Sequence, residues 1–215
     1  MEEAINQLKE YLEENPLGFT KEQKEKIVRD VVCPRNGTVC DEYVEFKLWL
    51  KGLKSRQEYF AEYVAEKLPV EKYPHLLEVG CGRTARLSRL LAAGGYEMTA
   101  IDPQAEQGAL EEYDGQVVCR KEAFEYQFAE LSGFDAVIAQ EPCEATEHIV
   151  RACLLAGKPF VISLCGTPHR LINGEEPEDV YAWYAYLEEL GGEQCFVKRT
   201  ELIPGFVCYV MLGDL

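Results

Sequence analysis

The stretch Leu76-Leu77-Glu78-Val79 runs into Gly80-Cys81-Gly82, and a helical run with Leu87, Leu90 and Leu91 on one face follows. This junction constrains the fold more than any other part of the 215-residue chain. A short apolar run reads as a buried strand, and two close glycines permit a tight turn into a helix. The alternation then continues. Met98 to Ile101, Val117 to Cys119, Phe134 to Ala139 and Pro159 to Leu164 read as further strands, with Ala145, Ile149, Ala152 and Ala156 marking a helix face between the last two. Pro177, with Glu178 and Asp179 beside it, suits a first helical turn, and Val180, Trp183, Tyr184 and Leu187 give that helix an apolar face. Strands alternating with helices imply a mainly parallel sheet covered on both faces.

The chain closes on two strand-like runs, Gln194 to Leu202 and Phe206 to Leu212, around Ile203-Pro204-Gly205. That link is too short for a crossover helix, so this pair is antiparallel. The prediction is an α/β fold: a doubly wound, mainly parallel seven-stranded sheet over residues 73–215, ending in an antiparallel hairpin. Residues 1–72 read instead as an N-terminal helical extension. Ala4, Ile5, Leu8, Tyr11 and Leu12 form one helical stripe, Ile27, Val28, Val31 and Val32 a second, and Tyr59, Phe60, Tyr63, Val64 and Leu68 a third.

The glycine junction carries the chemistry. In a doubly wound sheet, ligands bind outside the carboxyl ends of the strands, where the strand order reverses. Asp102 lies 22 positions after Gly80, at the end of the second strand, where a carboxylate accepts hydrogen bonds from ribose hydroxyls. A helix opening near Arg83 would aim backbone N–H groups at the ligand. Gly80 to Ala85 also satisfies the dinucleotide fingerprint G-x-G-x-x-G/A, so NAD stays open as a cofactor. Glu78 turns the balance, because a carboxylate there repels a pyrophosphate but suits a ligand bearing an ammonium and a sulfonium. The closing hairpin and the helices ahead of the first strand favour the same choice, S-adenosyl-L-methionine.

At these residues the chain resembles the Rossmann-like class I S-adenosylmethionine-dependent methyltransferases, over residues 55 to 212. Glu78-Val79-Gly80-Cys81-Gly82 is similar to their first motif. The resemblance implies cofactor contacts from Glu78, Gly80, Cys81 and Gly82. Where many members carry a third glycine, this chain departs with Arg83-Thr84, a larger, charged turn whose Arg83 is able to meet a carboxylate or phosphate of the ligand. It implies a ribose-holding role for Asp102, with Pro103 beside the adenine. Lys121-Glu122-Ala123-Phe124 is similar to the segment after the family's third strand, so Glu122 would accept from the adenine amino group and Ala123 would line its edge. Phe134 to Ala139 is similar to the fourth motif, which puts Gln140 and Glu141 at the cofactor and substrate end. Glu141-Pro142 does not match the signature of amino-group methylation on nucleic-acid bases.

The implied activity is methyl transfer to a small-molecule acceptor; the alternatives are a nucleoside-binding regulatory protein without turnover and, third, an NAD-dependent enzyme. No single catalytic residue is expected, since such transfer rests on proximity and alignment. His169, Glu141 and Glu144 are candidate bases, whereas His75 and His148 read as surface or core histidines. Tyr181, Trp183, Tyr184 and Tyr186 read mainly as packing, with one of them available to a substrate pocket. A net charge of −16 disfavours nucleic acid, which is bound by neutralising phosphates. Lys51, Lys54 and Arg56, the only clear basic cluster, read as a solvated helix face.

Nine cysteines are scattered, most beside apolar runs, and read as small buried hydrophobes of a reducing compartment. Cys33 and Cys40 flank a turn but lack CxxC spacing, so no metal is expected. No apolar run approaches the roughly 20 residues of a bilayer span, and the acidic N-terminus lacks the order of a secretory signal. A cytoplasmic protein is therefore expected.

Overall fold

A computed structural model describes residues 6–8, 10, 11, 45, 48–106 and 117–214. The second of the helical stripes and the Cys33/Cys40 turn lie outside these residues, as do Ala4, Ile5 and Leu12 of the first. The chain divides into two compact units, residues 1–58 and 59–215. In the first, residues 6–8, 10, 11, 45 and 48–50 are helical, and the Tyr11 and Trp49 rings lie 5.4 Å apart. The Arg56 Nε donates to Glu45 Oε1 at 2.9 Å.

Helix α1 (Arg56–Lys67) opens on a reciprocal cap. The Glu58 N–H donates to Ser55 Oγ (3.2 Å) and the Ser55 N–H to Glu58 Oε2 (2.8 Å). The Ser-x-x-Glu spacing permits this arrangement, and it satisfies two donors that a helix start leaves bare. Phe60 and Val64 on its inner face belong to the third predicted stripe, and both are fully buried.

The sheet follows as β1 (His75–Val79), β2 (Glu97–Ile101), β3 (Val117–Arg120), β4 (Ala136–Gln140), β5 (Phe160–Ser163), β6 (Cys195–Ile203) and β7 (Phe206–Gly213), with helices α2 (Arg86–Ala93), α3 (Ala145–Ala156) and α4 (Val180–Gly191) between them. The order across the seven-stranded sheet is β3-β2-β1-β4-β5-β7-β6. Strands β1 to β5 pair in parallel, and β7 runs antiparallel to both β5 and β6. The predicted doubly wound sheet and closing hairpin are both present.

Strand side chains alternate faces, and this divides the core. Leu77 and Val79 of β1, Val137 and Ala139 of β4, and Phe160 and Ile162 of β5 pack with α3 and α4. Leu76, Ala136, Ile138 and Val161 point the other way, onto α1 and α2. Parity therefore puts Glu78 on the α2 face. At the far end, a Cβ on Gly213 would stand 2.2 Å from the Phe160 ring, so only glycine lets that fully buried ring close the β5–β7 layer.

Two helix starts differ from the sequence reading. Helix α4 begins at Val180, beyond Pro177, because Asp179 is extended and its carboxylate accepts from the Tyr181 and Ala182 N–H groups, both at 2.8 Å. A side-chain cap two residues on outweighs the proline signal. Helix α2 begins at Arg86 rather than Arg83, because residues 82–85 form a turn ending in Ala85, whose φ is 45°. No described helix is long and apolar enough to cross a membrane.

Candidate functional site

Strand order reverses between β1 and β4, and a cavity of about 540 Å³ opens at the carboxyl ends of the strands there. Its walls come from the ends of β1 and β2, the segment after β3, the β4–α3 turn and the loop after β5. Of the residues expected at a cofactor, Gly80, Asp102, Pro103, Glu122, Ala123 and Glu141 line it. Glu78, Cys81, Gly82, Arg83 and Gln140 do not.

Gly80 has a φ of +77°, and a Cβ there would stand 3.2 Å from Pro142, so glycine serves both the turn and the close approach of the two strand ends. The loop's N–H groups are already committed. Gly80 and Cys81 donate to the Ile101 carbonyl (2.8 and 3.3 Å), and Gly82 donates to Asp102 Oδ2 (2.9 Å). The Gln104 N–H holds the other carboxylate oxygen, Oδ1, at 2.7 Å. With α2 starting at Arg86, no helix opens at Arg83. Arg83 turns aside to Glu106, 3.7 Å away.

Glu78 lies beneath the loop, 3% exposed. Its Oε2 accepts from the Ser88 N–H at 3.0 Å and from the Ser88 hydroxyl. Burial pushes its carboxyl up to about 7, against the lowering effect of the two Ser88 hydrogen bonds. Strand parity places this acid under α2, outside the cavity wall, and Cys81 is buried as well. Gln140 ends β4 half-buried, outside the cavity wall.

Phe124 and Glu125 extend the wall begun by Glu122 and Ala123. Glu122 itself is half-exposed, with Arg120 3.9 Å away. On the opposite side stand Glu141, Pro142, Cys143, Glu144, His148 and His169. Glu141 and Cys143 both hold left-handed backbone, at φ 51° and 53°. Such geometry costs roughly 1–3 kcal/mol per residue and is concentrated at functional sites.

His148 therefore belongs to the cavity, which its helical setting concealed. Its Nδ1 accepts from the Tyr126 N–H at 3.2 Å, leaving the ring proton of the neutral form on Nε2. His169 stands edge-on to the Trp183 ring at 5.2 Å, its Nε2 buried with no hydrogen-bond partner. Burial lowers its pKa. His75, at the start of β1, meets Asp135 and Glu97 away from the cavity. None of Tyr181, Trp183, Tyr184 and Tyr186 lines the cavity. Instead Tyr186 joins a network centred on Glu147, whose carboxylate accepts from the Tyr186 hydroxyl (2.6 Å), Arg151 Nε (2.8 Å) and the Ile172 N–H (2.7 Å). Burial pushes the Glu147 carboxyl up, and these donors outweigh it, holding it below the ordinary range.

The cavity wall holds five carboxylates (Asp102, Glu122, Glu125, Glu141 and Glu144) and no Lys or Arg among the described residues. A concavity lined by charges of one sign attracts ligands of the other.

No family model matches the chain, and no curated protein matches it. Among solved structures it is similar to the sugar N-methyltransferase KedS8 from Streptoalloteichus sp. ATCC 53650, at 16% identity, covering 79% of this chain and 93% of that one, with a TM-score of 0.51. The N-terminal domain of EvdMO1 with SAH bound matches at 16% identity, covering 91% of this chain and 97% of that one, with a TM-score of 0.48. The sheet order, the closing hairpin and the likeness to KedS8 together identify the fold as the Rossmann-like fold of the class I methyltransferases.

Proposed function

We propose that the cavity binds S-adenosyl-L-methionine and that the protein transfers its methyl group to a small-molecule acceptor. The observation that carries this reading is the acid-lined wall without Lys or Arg. A ligand with an ammonium and a sulfonium is attracted there, whereas a pyrophosphate is repelled. The committed N–H groups of Gly80, Cys81 and Gly82 count the same way, because a dinucleotide site needs them for phosphate. A volume of about 540 Å³ suits a nucleoside-sized ligand, within the roughly 300–1,000 Å³ of small-molecule sites.

The residues present fit the group. Asp102 keeps acceptor capacity for ribose hydroxyls, and the two backbone N–H groups fix its orientation. Pro103, Ala123 and Phe124 offer apolar surface to a base, with Glu122 at its rim. Gly80 keeps the floor open where a side chain would press on Pro142. The bound cofactor supplies an electrophilic methyl, and the chain's part is to align an acceptor with it and exclude water. Glu141, Glu144 and His169 stand on the wall where a proton leaving an acceptor could be taken.

Thermal shift tests the reading. S-adenosylmethionine and S-adenosylhomocysteine at one hundred times their dissociation constants should stabilise the chain by about 2.7 kcal/mol, while NAD gives no shift. Labelled methyl should then pass to an acceptor from a small-molecule panel. Stabilisation by NAD alone would refute the reading. Stabilisation by the sulfur ligands without transfer would favour a regulatory binding protein.

A further inference from the structure

We propose that Cys143, Cys165 and His169 form a site for Zn²⁺ at the edge of the cavity, a role that no sequence spacing announced. Cys143 follows β4, while Cys165 and His169 sit four positions apart in the loop after β5. Because β4 and β5 are adjacent and parallel, their carboxyl ends bring the three side chains together. One ligand atom from each lies within 4.8 Å of the others.

The sulfur spacing agrees with one shared ion. The two Sγ atoms are 3.7 Å apart. Two thiolates, each about 2.3 Å from a tetrahedral zinc ion, are about 3.8 Å apart. The donor set is soft, two sulfurs and an imidazole, and it excludes Mg²⁺ and Ca²⁺ as preferred occupants. The buried, unpartnered Nε2 of His169 is a second observation. A buried polar atom without a partner is costly, and it points to a ligand the chain does not itself supply.

The surroundings hold the donors in place. The Tyr184 hydroxyl donates to the Cys165 carbonyl at 2.7 Å, and the Ile172 N–H beyond His169 is held by Glu147. The Trp183 ring packs against the imidazole. Three protein ligands leave one position of a tetrahedral ion for a further ligand, and Cys143 and His169 both line the cavity. Two thiolates neutralise the ion, and Glu141 and Glu144 nearby favour its positive charge further.

The test uses the full chain, reduced, stripped of metal with a chelator, and without S-adenosylmethionine, so its outcome is separate from that of methyl transfer. Co²⁺ serves as the optical probe, and Zn²⁺ affinity is read by competition with a chromophoric chelator. One equivalent of Co²⁺ should give a thiolate charge-transfer band and the visible bands of a tetrahedral ion, and Zn²⁺ should displace it. Cys143→Ser should lose about half the charge-transfer intensity, and His169→Gln should weaken Zn²⁺ binding at least about 100-fold. Cys143 is exposed, so its variant stays folded even where Cys165→Ser does not. The double variant Cys33→Ser, Cys40→Ser should bind as the parent does. Unchanged binding in both Cys143→Ser and His169→Gln would overturn the proposal. So would a reduced chain that binds no Co²⁺ and instead forms a Cys143–Cys165 disulfide in air.

Discussion

Replacing Glu78 by glutamine removes a buried acid whose ionisation opposes folding, and the effect has a definite sign with pH. In the folded chain burial raises this carboxyl from its ordinary value to about 7. Between the two values the folded chain holds a proton that the unfolded chain has released, so stability falls as pH rises through that window. The stability this group lends is fully present below its unfolded pKa and is lost above about 7. At about 1.4 kcal/mol per pH unit the whole loss is about 3 kcal/mol, of which about 2–3 kcal/mol falls between pH 5 and pH 8. Glutamine keeps an oxygen for the two Ser88 donors and does not titrate. Urea unfolding of both proteins at a series of pH values isolates the effect, because the other acids cancel in the difference. The Glu78→Gln protein should gain about 2–3 kcal/mol on the parent from pH 5 to pH 8. A difference flat across that range would refute the claim that Glu78 lies sealed under α2.

Other substitutions probe the same framework. Ser88→Ala removes the hydroxyl donor from the buried Glu78 carboxylate, leaving only the backbone N–H, and should cost about 1–3 kcal/mol, read by chemical denaturation. Ala85→Gly relieves a left-handed alanine and should raise stability by about 0.5–1 kcal/mol, seen as a higher Tm. Glu147→Gln weakens the anchor of the 165–176 loop and should cost about 3 kcal/mol at neutral pH. Since the Glu147 carboxyl is held low, its advantage over glutamine is present above the unfolded pKa and should shrink as pH falls through the folded one, a trend pH-resolved melting follows.

The fold was legible because period two and period three-point-six patterns change cleanly after Tyr73, and because the three-residue link Ile203-Pro204-Gly205 admits only a hairpin. Asp102, Pro103, Glu122 and Ala123 were legible for a related reason: once strand order is known, residues just past the strand ends fall at the crevice. Glu78 lies outside the cavity wall because, although its neighbourhood in sequence is the glycine loop, strand parity points it at Ser88 on α2. The helix expected at Arg83 failed on one alanine in left-handed backbone, for which no residue preference gives warning. Cys143 and Cys165 are 22 positions apart and meet only through the β4–β5 pairing, so a search for close cysteine spacing passes over them. His148 was hidden by its place on a helix, since which side of α3 faces the cavity depends on packing with Tyr126.

Calorimetric titration of S-adenosylhomocysteine into the parent and into Asp102→Asn tests whether the cavity at the β1 and β2 ends holds the cofactor. The amide removes the charge of the acceptor proposed for the ribose hydroxyls, while its side-chain oxygen can still receive a loop N–H. Saturable binding at one site per chain is expected, weakened at least about tenfold by the substitution, with no heat from NAD. Binding of NAD in place of S-adenosylhomocysteine, or an Asp102→Asn protein that binds as tightly as the parent, would contradict it.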